Sequence, residues 1–260
     1  MTDLDLAYGA MVAAHDDDDV PRLRYYAALA DGEMILVLET EATRGSVTPR
    51  VFDLEEGPVV LAFDSEEKLA VFAAGTVPYA ALPGRVIAQQ LAGQGIGLAI
   101  NLGAPSMMLF PPDAVDWLAE TLAEEPLEAT AVPVAFAAPT GIPPGFLDVL
   151  RAKLVRSSGK AAGAVLTGVT YADGRRGHLL AVVDAQAGTE DRLARAVSEA
   201  LIFSGLDAAE MDVVFLASSD ARLALMQAQG MQLDMRLPEP VAKPAPTAPG
   251  TDPDKPPILR

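Results

Sequence analysis

The sequence predicts an α+β fold, with two mixed α+β domains followed by a proline-rich flexible tail. In both halves, segments with strand-like and helix-like apolar periodicity follow one another without strict alternation. Nearly all the excess negative charge lies before residue 127. The composition changes after residue 236, where eight prolines fall within the last 24 residues, which is typical of a chain without a packed core. We therefore predict domains at 1–126 and 127–237 and a tail at 238–260.

The first half reads as alternating groups of helices and strands. Asp19 is a helix N-cap before Pro21, and Ser65 or Asp64 caps a short helix that Gly75 ends. The stretches "EMILVLET" and "TPRVFDLEEGPVVLAFDS" predict three strands, and "GLAINLG" and "SMMLF" predict two more. A Pro-Gly turn in "VPYAALPGRVIAQQLAGQG" precedes a further helix. An amphipathic helix, "PPDAVDWLAETLAEE", ends this half with an apolar face of Val115, Trp117, Leu118 and Leu122.

The second half repeats this mixture with a hairpin at its centre. An extended "ATAVPVAFAAP" precedes a helix in "FLDVLRAKLVRSS", whose apolar residues recur at helical spacing. The segment "AAGAVLTGVTYADGRRGHLLAVVDA" predicts two strands around a glycine-rich turn. A helix from Thr189 to Gly205, a strand "MDVVFLAS", a helix "SDARLALMQAQG" and a short strand "MQLDMRL" complete it.

Charge and composition restrict the classes of partner and the compartment. The chain has no cysteine, which excludes disulfides and thiolate chemistry. Residues 1–126 carry 21 Asp and Glu against 6 Lys and Arg, whereas residues 127–237 carry 12 against 10. An acidic first half disfavours nucleic acid and anionic membranes and attracts a basic protein, although acidic surfaces also simply aid solubility. The acidic N-terminus and the proline-interrupted uncharged run at 129–147 predict a cytoplasmic protein without a membrane helix.

Common catalytic signatures do not fit this sequence. In "AGQGIGLAINLG" the glycines follow a helix and precede a strand, which reverses the order of a dinucleotide fingerprint, and the sixth position from Gly93 is Leu98. We interpret this stretch as a turn. The pair Gly159–Lys160 lacks the rest of a phosphate loop, and the two histidines have no metal-ligand spacing. Adjacent carboxylates at 16–18 offer hard oxygen ligands but lack the calcium-loop pattern. We predict no catalytic residue, metal or cofactor.

Three polar residues in apolar or turn-rich surroundings are the candidate binding residues. Tyr79 and Arg85 bracket the Pro-Gly turn, and Asn101, the single asparagine of the chain, ends a strand. They favour a small-ligand site at the domain junction, where pockets are common, as an alternative to protein binding. For Asn101 the structural alternative is a hydrogen bond to a neighbouring turn, which we prefer. Basic residues Arg151, Lys153, Arg156 and Lys160 either meet acidic residues of the first half, bind an anion or aid solubility.

The order of these motifs resembles a known family. The run "GPVVLAFDSEEKLAVF", "YAALPGRVIAQQL" and "GLAINLG" is similar to the SseB N-terminal domain, and "VPVAFAAPTGIPPGFLDVLRAKL", "HLLAVVDA", "VSEALIFSG" and "MDVVFLAS" resemble the SseB C-terminal domain. The chain differs from the pattern at Leu102, where Asn-Pro-Gly is expected. The family takes its name from enhanced serine sensitivity and has no established reaction, so the resemblance implies a two-domain protein without an established activity. The charge split and the absence of fitting catalytic motifs, in contrast, predict a non-enzymatic protein that binds a protein partner. The resemblance leaves the partner and the oligomeric state open.

Overall fold

The computed structural model describes residues 1–15, 18–42, 47–124, 131–143, 145–206 and 211–235. The predicted tail at 238–260 and the carboxylates at 16 and 17 lie outside these residues. Within them the first half contains helices α1 (Asp3–Ala13), α2 (Val20–Asp31), α3 (Glu66–Ala73), α4 (Gly84–Leu91) and α5 (Pro112–Ala123), and strands β1 (Glu33–Val37), β2 (Val51–Leu54), β3 (Gly57–Phe63), β4 (Tyr79–Pro83), β5 (Gly97–Ile100) and β6 (Met108–Phe110).

The second half has fewer helices around a longer hairpin. Its described elements are β7 (Pro133–Ala137), α6 (Phe146–Arg156), β8 (Gly163–Tyr171), β9 (Arg176–Val183), α7 (Glu190–Ile202), β10 (Met211–Leu216), α8 (Ala221–Gln229) and β11 (Met231–Leu233). The α+β class is therefore confirmed. No helix in the described part of the chain is long and apolar enough to cross a membrane.

The first sheet is mixed and has the order β4-β1-β3-β5-β6, with β2 pairing beside β1 on the same side of β3. All its pairings are antiparallel except β3 with β5, whose carboxyl ends meet at one edge. Side chains alternate between the two faces of the sheet. One face packs against α1, α2, α4 and α5 around Tyr25, Leu29 and Phe110, and the other lies under α3 around Leu61, Phe63 and Leu69.

The second sheet has the order β10-β9-β8-β11, with β7 on the remaining length of β8. The predicted hairpin is β8 and β9, which pair from Gly163 with Val183 to Thr170 with Arg176. Helices α6 and α7 cover one face around Leu150, Leu166 and Val197, and α8 covers the other around Leu223 and Met226. The two sheets fall on either side of the boundary predicted at residue 126, and residues 125–130 lie outside the described residues, so that boundary stays a prediction.

The glycine-rich stretch is a turn, as predicted. Helix α4 ends at Leu91, Gly93 and Gly95 adopt φ of +73° and +67°, and β5 begins at Gly97. The backbone N–H of Gly93 donates to Asp116 Oδ1 at 2.8 Å, so a carboxylate of α5 holds the turn in place. A left-handed φ favours glycine because it has no Cβ. This geometry connects a helix to a strand.

The segment before α4 differs from the prediction. No turn separates Tyr79 from Arg85, because Tyr79 is the first residue of strand β4, Arg85 lies in the first turn of α4, and β4 pairs with β1 along its whole length. Its residues alternate between exposed and half-buried, and they lack the β-branched side chains that mark a strand in sequence. A Cβ at position 84 would overlap the carbonyl oxygen of Leu29. Glycine is therefore needed at this position, where α4 starts directly after β4.

Candidate functional site

Four charged side chains, two from each half of the chain, meet between the helical layers. Asp31 is the last residue of α2, Arg85 lies in the first turn of α4, Lys153 is on α6 and Glu199 is on α7. We call these four residues the junction cluster. It contains two cations and two carboxylates, so its formal charges balance.

Each carboxylate of the junction cluster is shared by both cations. Lys153 Nζ lies 2.9 Å from Asp31 Oδ2 and 2.5 Å from Glu199 Oε2. Arg85 donates from Nη1 to Glu199 Oε1 at 3.0 Å and from Nη2 to Oε2 at 3.1 Å, which is a bidentate pair, and Nη2 also donates to Asp31. Two of these four ion pairs, Arg85–Glu199 and Lys153–Asp31, therefore link the two halves.

The ion pairs of the junction cluster are largely buried, which strengthens the interaction between their charges. The side chains of Lys153 and Glu199 are each 5% exposed, and those of Asp31 and Arg85 are 10% and 31% exposed. Burial alone would raise the pKa of the Asp31 carboxyl, but the charge of Lys153 and hydrogen bonds from both cations outweigh it, so this pKa lies below its usual range. The pKa of Glu199 is lowered against the same opposing effect of burial, by hydrogen bonds from Arg85 and the charge of Lys153. Both carboxyls are thus ionised at neutral pH.

Apolar and backbone contacts surround the junction cluster. Arg156 Nη1 donates to the carbonyl oxygen of Asp31 at 2.6 Å and so satisfies an acceptor at the end of α2. Phe203, which directly follows α7, is fully buried within the hydrophobic core of the first half. Lys153 Nζ lies 5.5 Å from the centre of its ring. The predicted basic group at 151–160 therefore meets the first half through Lys153 and Arg156.

A second polar group lies where the parallel strands β3 and β5 end. The backbone N–H of Asp64 donates to Asn101 Oδ1 at 3.1 Å, and Asn101 Nδ2 donates to Ser106 Oγ at 3.2 Å. Lys68 Nζ contacts Asp5 Oδ1 at 2.5 Å and Asp64 Oδ1 at 2.7 Å. Burial raises the pKa of Asp5, but the hydrogen bonds from Lys68, Ser106 and the backbone of Thr2 together with the charge of Lys68 outweigh it, so this pKa lies below its usual range. Helix α1 is thereby attached to the strand ends, and we call these five residues the strand-end cluster.

One buried hydroxyl near the strand-end cluster lacks a partner. Tyr25 is fully buried, stacks on Phe110 with ring centres 6.0 Å apart, and has no hydrogen-bond partner for its hydroxyl among the described residues. Burial, together with the negative charges of Asp64 and Asp5, raises its pKa. A buried hydroxyl without a hydrogen-bond partner destabilises the folded protein, so the stability of a Tyr25→Phe variant tests whether this hydroxyl is unpaired.

The three predicted binding residues lie in three different environments. Tyr79 is 43% exposed and its hydroxyl donates to Glu66 Oε1 at 2.8 Å. Arg85 belongs to the junction cluster, and Asn101 belongs to the strand-end cluster, is fully buried and has a φ of +51°. The structure does not bring these three residues together in one site, and ligand binding by any of them stays a prediction.

Sequence reasoning missed the junction cluster as a unit. Asp31 and Glu199 are not among the predicted site residues, whereas Lys153 belongs to the basic group for which contact with acidic residues of the first half is one of three expectations. One signal was present, because Lys153 lies three residues after Leu150 and one before Leu154, on the face of α6 that is buried. A lysine at such a position indicates a buried partner carboxylate. The identity of that partner, in another helix, has no local signal.

The described residues contain no group of three or more His, Asp or Glu arranged to hold a metal ion. His178 Nε2 lies 3.0 Å from the carbonyl oxygen of Thr140, which is a loop contact within the second half. The arrangement of the two clusters is that of ion pairs and hydrogen bonds that join elements of the fold. The junction cluster can position the two halves relative to one another, and the strand-end cluster holds α1 against the strand ends of the first half.

Comparison with known families identifies the first half. Residues 8–117 match the family model described as the SseB protein N-terminal domain. This match runs from within α1 to the middle of α5 and includes Tyr79, Arg85 and Asn101. No curated protein and no solved structure matches the chain. The resemblance of the second half to the SseB C-terminal domain stays a prediction.

Proposed function

Since residues 8–117 match the SseB protein N-terminal domain, we propose that the chain is an SseB-like, cytoplasmic, non-enzymatic protein that binds a protein partner. The acidic first half attracts a partner with a basic surface. Nucleic acids and anionic membranes are disfavoured as partners because the same charge repels them.

The distribution of exposed charge is the observation that carries this proposal. Fourteen Asp and Glu residues of the described first half are exposed, whereas its exposed cations are Arg22 and Arg50. Lys68 and Arg85 are turned inward into the strand-end and junction clusters. In the described second half, seven exposed cations accompany five exposed carboxylates. Negative charge therefore predominates more strongly on the exposed surface of the first half than in its amino-acid composition.

Cross-linked pull-downs from cell extract at two salt concentrations, using the full chain, test this proposal. We expect a partner whose capture falls sharply at high salt, because exposed charges are screened within about 10 Å at 0.1 M ionic strength. Capture should also fall for a variant with four exposed carboxylates of the first half replaced by amides. A matched variant with Asp148, Asp173, Asp184 and Asp191 of the second half replaced by Asn is the control. A partner held equally at both salt concentrations and lost only in the control variant would rule the proposal out.

A small-ligand site at the junction is the alternative function, and the contacts of Arg85 do not favour it. Its guanidinium donates to Asp31 and to Glu199, so a ligand there would have to compete with two buried carboxylates. Thermal unfolding against amino acids, nucleotides, coenzymes and divalent metals distinguishes the two functions. A ligand at about 100 times its Kd adds roughly 2.7 kcal/mol of stability. A reproducible shift that Arg85→Ala abolishes would support the ligand site over partner binding.

A further inference from the structure

We propose that the open edge of β4 binds an extended basic segment of the partner protein by strand addition. This inference rests on the proposed function and names the surface and the binding mode. It is carried by the hydrogen-bond pattern of β4, by the row of exposed side chains along it, and by the carboxylates at both of its ends.

The backbone of β4 presents unpaired groups on its outer side. Strand β4 is at the end of the first sheet and pairs with β1 alone among the described strands. Leu38 N–H donates to the carbonyl of Pro78, and Gly84 N–H donates to the carbonyl of Gly32, so positions 78 and 84 face β1. Antiparallel pairs alternate, so positions 80 and 82 also face β1, whereas the backbone groups of Tyr79 and Ala81 point outward. The N–H groups and carbonyls of Tyr79 and Ala81 are therefore available to another strand, whereas the carbonyl of Pro83, the N-cap of α4, accepts the first hydrogen bond of that helix.

The same residues form an uncovered margin of the sheet. Tyr79, Ala81 and Pro83 pair with Val37, Ile35 and Glu33, so each pair lies on one face of the sheet. Ile35 and Val37 are buried in the cluster around Leu69 of α3. Their neighbours on β4 are exposed, which places the edge of the covering layer between β1 and β4. An added strand would extend the apolar face over this margin.

Carboxylates at both ends determine the chemistry of the partner. Glu33 is exposed and lies opposite Pro83, and exposed Glu66 accepts the hydrogen bond of Tyr79. The two positions on β4 are four residues apart, or about 14 Å. An arginine beside Tyr79 can contact both the aromatic ring and the Glu66 carboxylate. The partner segment therefore carries Lys or Arg at positions i and i+4, with small or β-branched residues between them.

Two other occupants fit this margin less well. A second copy of the chain, paired antiparallel through β4, would bring Glu33 of one copy towards Glu66 of the other, and like charges repel. The segment after residue 236 has eight prolines in 24 residues, and each proline lacks the N–H that a ladder needs. Both occupants can be tested, since binding of a second copy would produce a dimer and the segment after residue 236 can be removed by truncation.

The test uses the full chain and a fluorescein-labelled probe peptide, Lys-Thr-Arg-Thr-Val-Thr-Arg-Thr-Lys, in a fluorescence anisotropy titration at low salt. Ala81→Pro removes an outward N–H and leaves the contacts with β1 intact, and Ala81→Val keeps the N–H as its matched control. We expect Ala81→Pro to weaken binding about tenfold, since a backbone hydrogen bond is lost and the ring obstructs the approach, and Ala81→Val to change it less than about twofold. Hydrogen exchange at Tyr79 and Ala81 should slow when the probe binds.

A second pair of variants, which have the same net charge as each other, tests whether the position of the carboxylates matters. Glu33→Gln with Glu66→Gln should weaken binding about tenfold, whereas Glu55→Gln with Glu120→Gln, which removes two exposed carboxylates elsewhere, should weaken it less than about threefold. A probe with its arginines at positions i and i+3 should bind more weakly than the original, because its charges fall on opposite faces.

The outcomes separate this inference from the proposed function. Equal binding by Ala81→Pro and wild type, or equal losses in the two charge variants, would overturn strand addition at β4. A salt-sensitive partner of the first half would in that case still support the proposed function. Displacement of the probe by dimerisation, or tighter probe binding after truncation at residue 236, would assign the margin to this chain itself and overturn the inference.

Discussion

Arg85 and Glu199, 114 positions apart in the sequence, are joined by two parallel hydrogen bonds of 3.0 and 3.1 Å between the first and second halves of the chain. Together with Asp31 and Lys153 they form a balanced set of charges away from water. A buried charge that loses its partner pays its desolvation cost without compensation. The junction cluster is therefore where single substitutions should affect stability most strongly.

The first prediction concerns the carboxylate that both cations share. Glu199→Gln removes the charge that faces Lys153 and Arg85, and we expect the free energy of unfolding to fall by about 3–5 kcal/mol. Urea denaturation followed by circular dichroism measures it. Asp191→Asn, an exposed carboxylate in the first turn of the same helix, should cost less than about 1 kcal/mol. Similar costs for the two variants would show that the junction cluster contributes nothing beyond ordinary surface charge.

The second prediction is a coupling across the junction. Replacing Arg85 by Met and Glu199 by Leu together removes both charges of the bidentate pair, so the double variant should lose less stability than the two single losses combined. For residues in direct contact the coupling is about 0.5–3 kcal/mol. A double-mutant cycle in urea measures it. Additive losses would mean that the two side chains stabilise the protein independently.

The third prediction is the pH dependence of the junction cluster. The pKa values of Asp31 and Glu199 are lower in the folded protein than their ordinary values of 3.8 and 4.5. Such carboxyls contribute full stability above their unfolded pKa and lose it as pH falls through the folded pKa. The stability difference between wild type and Glu199→Gln should thus be constant from pH 7 to about pH 5 and shrink below about pH 4.5. A difference that grows on acidification would contradict this sign.

The fourth prediction compares two buried tyrosine hydroxyls. Tyr25→Phe removes a hydroxyl that has no partner in the described residues, so we expect unchanged stability or a gain of about 1 kcal/mol. Tyr171→Phe removes a hydroxyl that donates to Asp212 at 2.6 Å, and it should cost about 1 kcal/mol. Thermal unfolding of both variants under one condition provides the comparison. A loss for Tyr25→Phe as large as that for Tyr171→Phe would indicate a bound water as the missing partner.

The fifth prediction concerns Asn101, which combines a left-handed backbone with two buried hydrogen bonds. Asn101→Ala should cost about 2–4 kcal/mol, because the N–H of Asp64 loses its acceptor and alanine disfavours a φ of +51°. Asn101→Gly should cost about 1 kcal/mol less than alanine, since it relieves the backbone and not the lost bonds. Chemical denaturation of the two variants tests this. Equal costs would assign the whole effect to the side chain.

The elements with strong local patterns were predictable from the sequence. Ser65 caps α3 as predicted, Asp19 occupies the predicted N-cap position of α2 without a side-chain capping hydrogen bond, and the hairpin of β8 and β9 follows from its apolar runs and the turn between them. Trp117 is an exception on a correctly predicted helix, since it is 38% exposed and packs against Tyr26 with ring centres 5.3 Å apart. Local periodicity locates a helical face but does not determine which of its margins is covered.

Features that depend on distant segments were not predictable. Strand β4 has the sequence "YAALP", whose stability as a strand comes from pairing with β1 rather than from β propensity. The partners of Lys153 lie on α2 and α7, and Asn101 depends on a residue 37 positions before it. Such contacts arise from tertiary packing, for which one sequence has no periodic signal. The charge asymmetry of the two halves, in contrast, was visible in composition and is sharper on the surface.

Phe203 makes the stability of the first half depend on a residue of the second half. Its ring comes from the second half, yet it fills the interior of the first. A fragment that stops at residue 126 would have a hollow at that place, and deleting a buried phenylalanine side chain typically costs about 3–5 kcal/mol. That loss is a large part of the stability of an ordinary domain. The segment that matches the family model therefore lacks one of the side chains that fill its own hydrophobic core.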